Sequence, residues 1–228
     1  TRGGILKLMA LNYNLPFDVE AFAKAGKQLL MEVEQEIGWM YETLHSDGIT
    51  KGRIEYTLWS QIYSCPECAG EVNFVEEALD DETKRVRDSF PCSHCGAELT
   101  KQKLDKIFVS QVDKATGRLI RTPKRQATLI SYIVGNSRYE KTPDKLDSDV
   151  LGRIANLGLP TKIPTIEIPP MHMTHERARM DYSGITHIHH FYLARAAHAL
   201  SRLWEKAEVF GDRRLRSMLI FFVEQGIR

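Results

Sequence analysis

The chain has 228 residues and a mass of 26.1 kDa, enough for one large domain or for a core with a satellite. Hydrophobic residues make up 43% of it, which excludes a disordered polar chain. No run of about 18 apolar residues occurs, which excludes a membrane-spanning helix and predicts a cytoplasmic protein. The net charge of +1 favours neither acidic nor basic partners, so partners must be read from how charge is distributed. The chain opens on Thr1 and closes on Arg228 directly after an apolar helical pattern, so we expect a piece of a longer protein.

The first predicted element is a long helix. Asp18 is its N-cap with Glu20 in the first turn, and Phe22, Ala25, Leu29, Leu30, Val33, Ile37, Met40 and Tyr41 recur at helical spacing. Its other face is acidic, with Glu32, Glu34 and Glu36; a paired-carboxylate site is conceivable there, but such a run reads first as a solvated face. After a turn at Ser46-Asp47-Gly48, short strands are predicted over 57–63, 71–75 and 85–90.

These strands frame two Cys-x-x-Cys turns, Cys65-Pro66-Glu67-Cys68 and Cys92-Ser93-His94-Cys95, which hold all four cysteines of the chain. Two such turns offer four thiolates to one tetrahedral ion, and we expect a structural zinc ribbon on Cys65, Cys68, Cys92 and Cys95. The two turns are expected to hold little core of their own. A closed site of four sulfurs leaves no open position for chemistry. An iron centre would use the same ligands. Two disulfides fit poorly, because four cysteines are sparse for a secreted scaffold and no signal peptide is visible.

Beyond the second pair the charge changes sign. Between residues 101 and 141 there are ten Lys/Arg and three Asp/Glu, on a pattern of strands at 107–112, 119–120 and 127–134 with a return through Tyr139. Arg118, Arg121, Lys124 and Arg125, supported by Arg138 and Lys141, form the density of positive charge that a phosphate backbone attracts. An ordinary solvated sheet face is the plain alternative. The segment from Cys65 to Cys95 is itself acidic, so DNA contact is expected on the basic strands rather than on the ribbon.

A helix follows from Thr142-Pro143-Asp144 to Gly158, then a proline-rich connector and a helical turn over 173–180. Tyr182 to Phe191 carries His187, His189 and His190. His187 and His189 alternate like strand neighbours and could face one metal, yet no matching carboxylate or cysteine lies near them in sequence; contacts to backbone or to phosphate explain them as well. Two amphipathic helices close the chain, at 192–210 and from Asp212 onward. Arg195, His198, Arg202 and Lys206 form the polar stripe of the first, either solvated or a second phosphate contact.

Several separated stretches agree in order with one known family. Residues 12–22 (Asn-Tyr-Asn-Leu-Pro-Phe-Asp-Val-Glu-Ala-Phe), 38–44 (Gly-Trp-Met-Tyr-Glu-Thr-Leu), the Cys-Pro-x-Cys ribbon, 138–143 (Arg-Tyr-Glu-Lys-Thr-Pro) and 184–191 (Gly-Ile-Thr-His-Ile-His-His-Phe) resemble the zinc-ribbon-containing bacterial DNA methylases. The resemblance implies a parent enzyme that methylates an exocyclic amino group of DNA, adenine N6 foremost, with S-adenosylmethionine. This chain lacks the Phe-x-Gly-x-Gly loop that would hold that cofactor. Its nearest matches to the catalytic Pro-Pro turn are Asn14-Leu15-Pro16-Phe17 and Ile168-Pro169-Pro170-Met171, and neither is intact. The cofactor is therefore expected in the parent only, and this fragment alone is expected to be inactive.

The expected fold class is α+β: long helices packed on a small antiparallel sheet with an inserted zinc ribbon of four cysteines. The expected divisions are 1–53 (helix), 54–100 (ribbon), 101–141 (basic strands) and 142–228 (helical part). The expected partners are DNA and the remaining domains of a methyltransferase. A non-enzymatic zinc ribbon that binds nucleic acid or protein is the alternative.

Overall fold

A computed structural model of the chain describes residues 10, 13–80, 82, 83 and 85–226; Asn12, Asp81 and Lys84, named or counted above, lie outside them. The described helices are α1 (Val19–Ile37), α2 (Phe74–Ala78), α3 (Lys145–Asn156), α4 (Ala194–Glu208) and α5 (Arg213–Gln225). The strands are β1 (Glu42–Leu44), β2 (Lys51–Ser64), β3 (Glu71–Asn73), β4 (Phe90–Pro91) and β5 (Glu98–Leu99), then β6 (Asp105–Lys106), β7 (Phe108–Val112), β8 (Leu119–Pro123), β9 (Arg125–Val134) and β10 (Ser137–Lys141). This is a mixed α/β fold in two compact units. One holds the described residues up to 40, residues 157–164 and those from 192 onward; the other holds 41–156 and 165–191.

The first unit is helical. The Asp18 carboxylate accepts the Ala21 amide at 3.0 Å and so starts α1, as its sequence predicts. Helical spacing then aligns Ala25, Leu29, Val33 and Ile37 on one buried face. Ala25 and Leu29 pack with Ala207 of α4 and with Leu219 and Val223 of α5, while Phe22, Leu203 and Trp204 close the margin. The acidic face of α1 is not simply solvated. Lys206 sits 3.1 Å from Glu32 and 2.7 Å from Glu36, and Arg202 reaches Glu36 at 3.6 Å, so the polar stripes of α1 and α4 neutralise each other. Among the described residues no helix is long and apolar enough to cross a membrane.

The second unit is built on β2. Antiparallel β9 pairs with it from Arg53 to Gln61 with two register shifts, β1 pairs at its start, and β3 and β6 pair at its end. β10 extends β9, giving a curled sheet of six strands, with β4–β5 and β7–β8 as separate hairpins. A boundary at 53/54 thus falls inside a continuous strand. Residues 74–75, expected to extend β3, instead begin α2: the buried Asn73 side chain caps it, and Ser60 Oγ accepts the Val75 amide at 3.0 Å. Local capping outweighs the β preference of Phe74 and Val75.

The sheet core holds Ile54, Ile130 and Tyr132, with Val134 against it. Tyr132 is buried under the backbone of Gly52, and its hydroxyl lies 2.9 Å from His45 Nδ1. A Cβ at residue 52 would overlap the Tyr132 ring and come within 3.2 Å of Val134. Gly52→Ala is therefore expected to destabilise the sheet by about 1–3 kcal/mol through overpacking, read as a lower urea midpoint at unchanged slope. A midpoint within error of the parent chain would refute the close approach.

Candidate metal centre

Each Cys-x-x-Cys turn closes a hairpin. The first joins β2 to β3 and the second joins β4 to β5. The two turns repeat one hydrogen-bond pattern. The Cys65 amide donates to Gly70 O (2.9 Å) and the Ala69 amide to Cys65 O (2.9 Å). In the second turn, the Cys92 amide donates to Ala97 O (2.8 Å) and the Gly96 amide to Cys92 O (2.8 Å). Two further amides point at sulfur: Gly70 toward Cys68 Sγ and His94 toward Cys92 Sγ, each at 3.4 Å. Such amides hold partial negative charge on the sulfurs without any other cation.

The four thiols are free and converge on one point. Cys65 Sγ lies 3.9 Å from Cys95 Sγ, and Cys68 Sγ lies 3.9 Å from Cys92 Sγ. A disulfide needs about 2.05 Å, so neither pair is bridged. Four sulfurs about 2.3 Å from a central ion would stand about 3.8 Å apart, close to the spacing observed. Cys65 and Cys92 are buried; Cys68 and Cys95 are exposed. Burial opposes ionisation of Cys65, but amides of Cys68 and Glu67 and the neighbouring thiols bring it down to about 7. The Gly70 amide favours the Cys68 thiolate, yet burial and the other three sulfurs push it up to about 12. Together the four residues could hold one metal ion.

The turns have more core than their sequence predicts. Cys65 and Cys92 belong to a buried cluster with Tyr63, Val72, Ala78, Phe90, Leu99 and Leu104. The turns are also tied together. The His94 ring packs on Gly70 and its Nε2 lies 2.9 Å from Glu71 O, while the Ser93 amide and hydroxyl both reach the Glu77 carboxylate at 3.1 Å.

The predicted phosphate-binding residues are dispersed in their bonding. Arg118 pairs with Glu167 at 3.4 Å, Lys124 with Glu71 at 2.6 Å, and Arg138 with Glu55 at 2.5 Å. The Arg121 guanidinium lies over the Phe108 ring, 4.4 Å from its centroid. Arg125 is exposed and, among the described residues, has no carboxylate within ion-pair distance. Lys141 is a structural residue: its amine meets Asp144 (2.8 Å), the buried Asp147 (2.9 Å) and Leu44 O (3.0 Å). Asp147 in turn accepts the Thr43 hydroxyl at 2.6 Å.

The histidines differ from the expected arrangement. His187 makes an isolated bridge with Glu167, but residues 188–191 form a 3-10 turn, so His189 and His190 converge rather than His187 and His189. They converge on Asp113, a carboxylate 76 residues from His189 in sequence, which sequence proximity could not reveal. Burial would raise the Asp113 pKa, but the Thr116 hydroxyl, the Ala115 amide and His189 hold it at about 2.

The residue four places after each first cysteine is left-handed, at φ 56° for Ala69 and 75° for Gly96. A side chain there costs about 1–2 kcal/mol. Ala69→Gly is expected to raise thermal stability by about 0.5–1 kcal/mol and Gly96→Ala to lower it by about 1–2 kcal/mol. Calorimetry on the two variants checks the pair, and a destabilised Ala69→Gly would contradict the assigned turn.

Comparison of the chain with protein-family models, with curated proteins and with solved structures finds no match.

Proposed function

We propose that Cys65, Cys68, Cys92 and Cys95 hold one structural zinc ion, and that the chain is the zinc-ribbon segment that engages DNA or positions the target in an S-adenosylmethionine-dependent DNA amino-methyltransferase. The metal half rests on a single observation, the convergence of four free thiols whose sulfurs all lie within 4.8 Å of one another. Four soft thiolates in a closed tetrahedron favour zinc, and the ion stabilises the fold instead of activating water. The methyltransferase half rests on the ordered agreement of separated motifs, and the cofactor site is assigned to other parts of the parent protein.

DNA contact in this reading falls to Arg118, Arg121, Lys124 and Arg125 on and beside β8. The ion pairs of Arg118 and Lys124 lie at the surface, and such pairs contribute only about 0–1 kcal/mol, so a phosphate can displace their carboxylates. Lys141 drops out of the set, because moving its amine would strip the buried Asp147 of its counterion. A target base reached by the parent enzyme would be flipped from the duplex, and this strip would hold the flanking backbone. One observation favours the alternative of a protein-binding ribbon: Arg118, Lys124 and Arg138 each already have a carboxylate partner, which lowers the free positive charge.

Two measurements test these halves separately. Elemental analysis of the purified chain should find zinc, with metal–sulfur distances of about 2.3 Å by X-ray absorption. Cys92→Ser should release that ion and loosen the core around Phe90 and Leu99 while the helical signal of α1, α4 and α5 remains. Iron at the sulfurs, or full metal retention in the variant, would sink the assignment.

For DNA, alanine at Arg118, Arg121, Lys124 and Arg125 should weaken binding to any duplex. It should also flatten the dependence of log K on log salt by about 0.9 per lost contact. Unchanged affinity and slope in a folded quadruple variant would overturn the DNA role and leave the protein-binding ribbon.

A further inference from the structure

We propose that Asp113, His189 and His190 form a second metal site, built from oxygen and nitrogen donors and suited to a first-row divalent cation such as zinc. This site is independent of the sulfur cluster in ligands and in chemistry, and it does not rest on the DNA reading.

The backbone brings the three residues together by two local devices. Asp113 begins the β7–β8 loop, where its amide donates to Arg118 O and its carbonyl accepts the Gly117 amide, both at 2.8 Å. Gly117 is left-handed (φ 70°), which lets the loop close and aims the Asp113 carboxylate inward. The facing segment is pinned by paired amides, Ile168 to Thr186 O at 2.9 Å and Ile188 to Ile166 O at 3.0 Å. The 3-10 turn that follows sets the His189 and His190 rings side by side, with centroids 4.2 Å apart.

Burial and spacing then point to an ion. The side chains of Asp113, His189 and His190 are 7%, 5% and 9% exposed. His189 Nε2 stands 3.1 Å and His190 Nε2 3.5 Å from the same oxygen, Asp113 Oδ2. Ligand atoms about 2.0–2.1 Å from a tetrahedral ion stand about 3.3–3.4 Å apart, between those two values. A contact of 3.5 Å is long for a hydrogen bond, and among the described residues the buried His190 Nε2, which faces the site, has no hydrogen-bond partner. A buried nitrogen left in this state calls for an ion or a water. The His187 ring packs 5.4 and 5.3 Å from the His189 and His190 rings and backs the pair. Two imidazoles and a carboxylate suit zinc, iron, cobalt or nickel, and are a poor set for calcium or magnesium.

Loading has a recognisable signature. In the structure His190 Nδ1 faces the amides of Thr186 (3.1 Å) and His187 (3.3 Å), so that nitrogen is an acceptor and the proton sits on Nε2. A cation on Nε2 needs the proton on Nδ1, so loading breaks both amide bonds and turns Nδ1–H toward Thr186 Oγ1, 3.4 Å away. The tautomer of His190 therefore reverses on binding.

The test uses the whole chain titrated with cobalt(II). Thiolate charge-transfer bands should saturate with the first equivalent, and a second equivalent should add only weak ligand-field bands. Imidazole nitrogen-15 shifts on zinc loading should report the reversed His190 tautomer. His189→Ala and His190→Ala should each weaken the second equivalent by more than the about 10–100-fold that outer-sphere partners cost, with the thiolate bands unchanged. A folded wild-type chain whose only bound equivalent shows thiolate bands would overturn the proposal and leave a hydrogen-bonded clamp. So would a second equivalent that survives both histidine variants. The wild-type stoichiometry keeps the test decisive if a variant fails to fold.

Discussion

Four thiols whose sulfurs all lie within 4.8 Å of one another are stable only while most of them stay protonated or a cation lies between them. The second unit is built around that constraint. Cys65 ionises readily, at about 7, while Cys68 resists up to about 12, because contacts among the sulfurs favour charge on the first and oppose it on the second. Sulfur-directed amides from Gly70 and His94 offset part of that repulsion, but they cannot balance several charges. The buried cluster of Tyr63, Phe90, Leu99 and Leu104 fixes the two turns against each other and so holds the sulfurs in place. Packing sets the geometry, and an ion held there would remove its electrostatic cost.

The same unit resolves its charges by pairing. Lys124 meets Glu71, next to the first turn, and Arg138 meets Glu55, so basic strands and acidic segments neutralise one another locally. Counting Lys and Arg along the chain overstates the field available to an anion, since the partner carboxylates lie tens of residues away in sequence. The Lys141–Asp147 pair differs in kind. It is buried and shared with Asp144 and the Thr43 hydroxyl, and it anchors β10 and α3 to β1 instead of facing solvent.

What was legible in the sequence shares one property: the signal and the structure it specifies are close in the chain. The two Cys-x-x-Cys turns, the Asp18 and Asp212 caps and the strand around 127–134 all follow from neighbours within a few residues. The errors arise where a distant partner decides. Residues 51–56 carry glycine and charges and do not read as strand, yet β1 and β9 pair with them and complete β2. Phe74 and Val75 have strand-forming side chains, but the Asn73 cap and the distant Ser60 hydroxyl turn them into a helix.

Asp113 and the histidines are the clearest case. Read alone, Asp113 is an ordinary loop residue that bonds the Ala115 amide, and His187 to His190 is a polar run with an even spacing. Only the β7–β8 hairpin and the 3-10 turn at 188–191 give them a common centre. The four cysteines are two local pairs that need one long-range contact between preformed turns. Asp113, His189 and His190 become a cluster solely through topology. A cation bound there would lock the hairpin to the 186–191 segment, joining two pieces of backbone that no strand pairing connects directly.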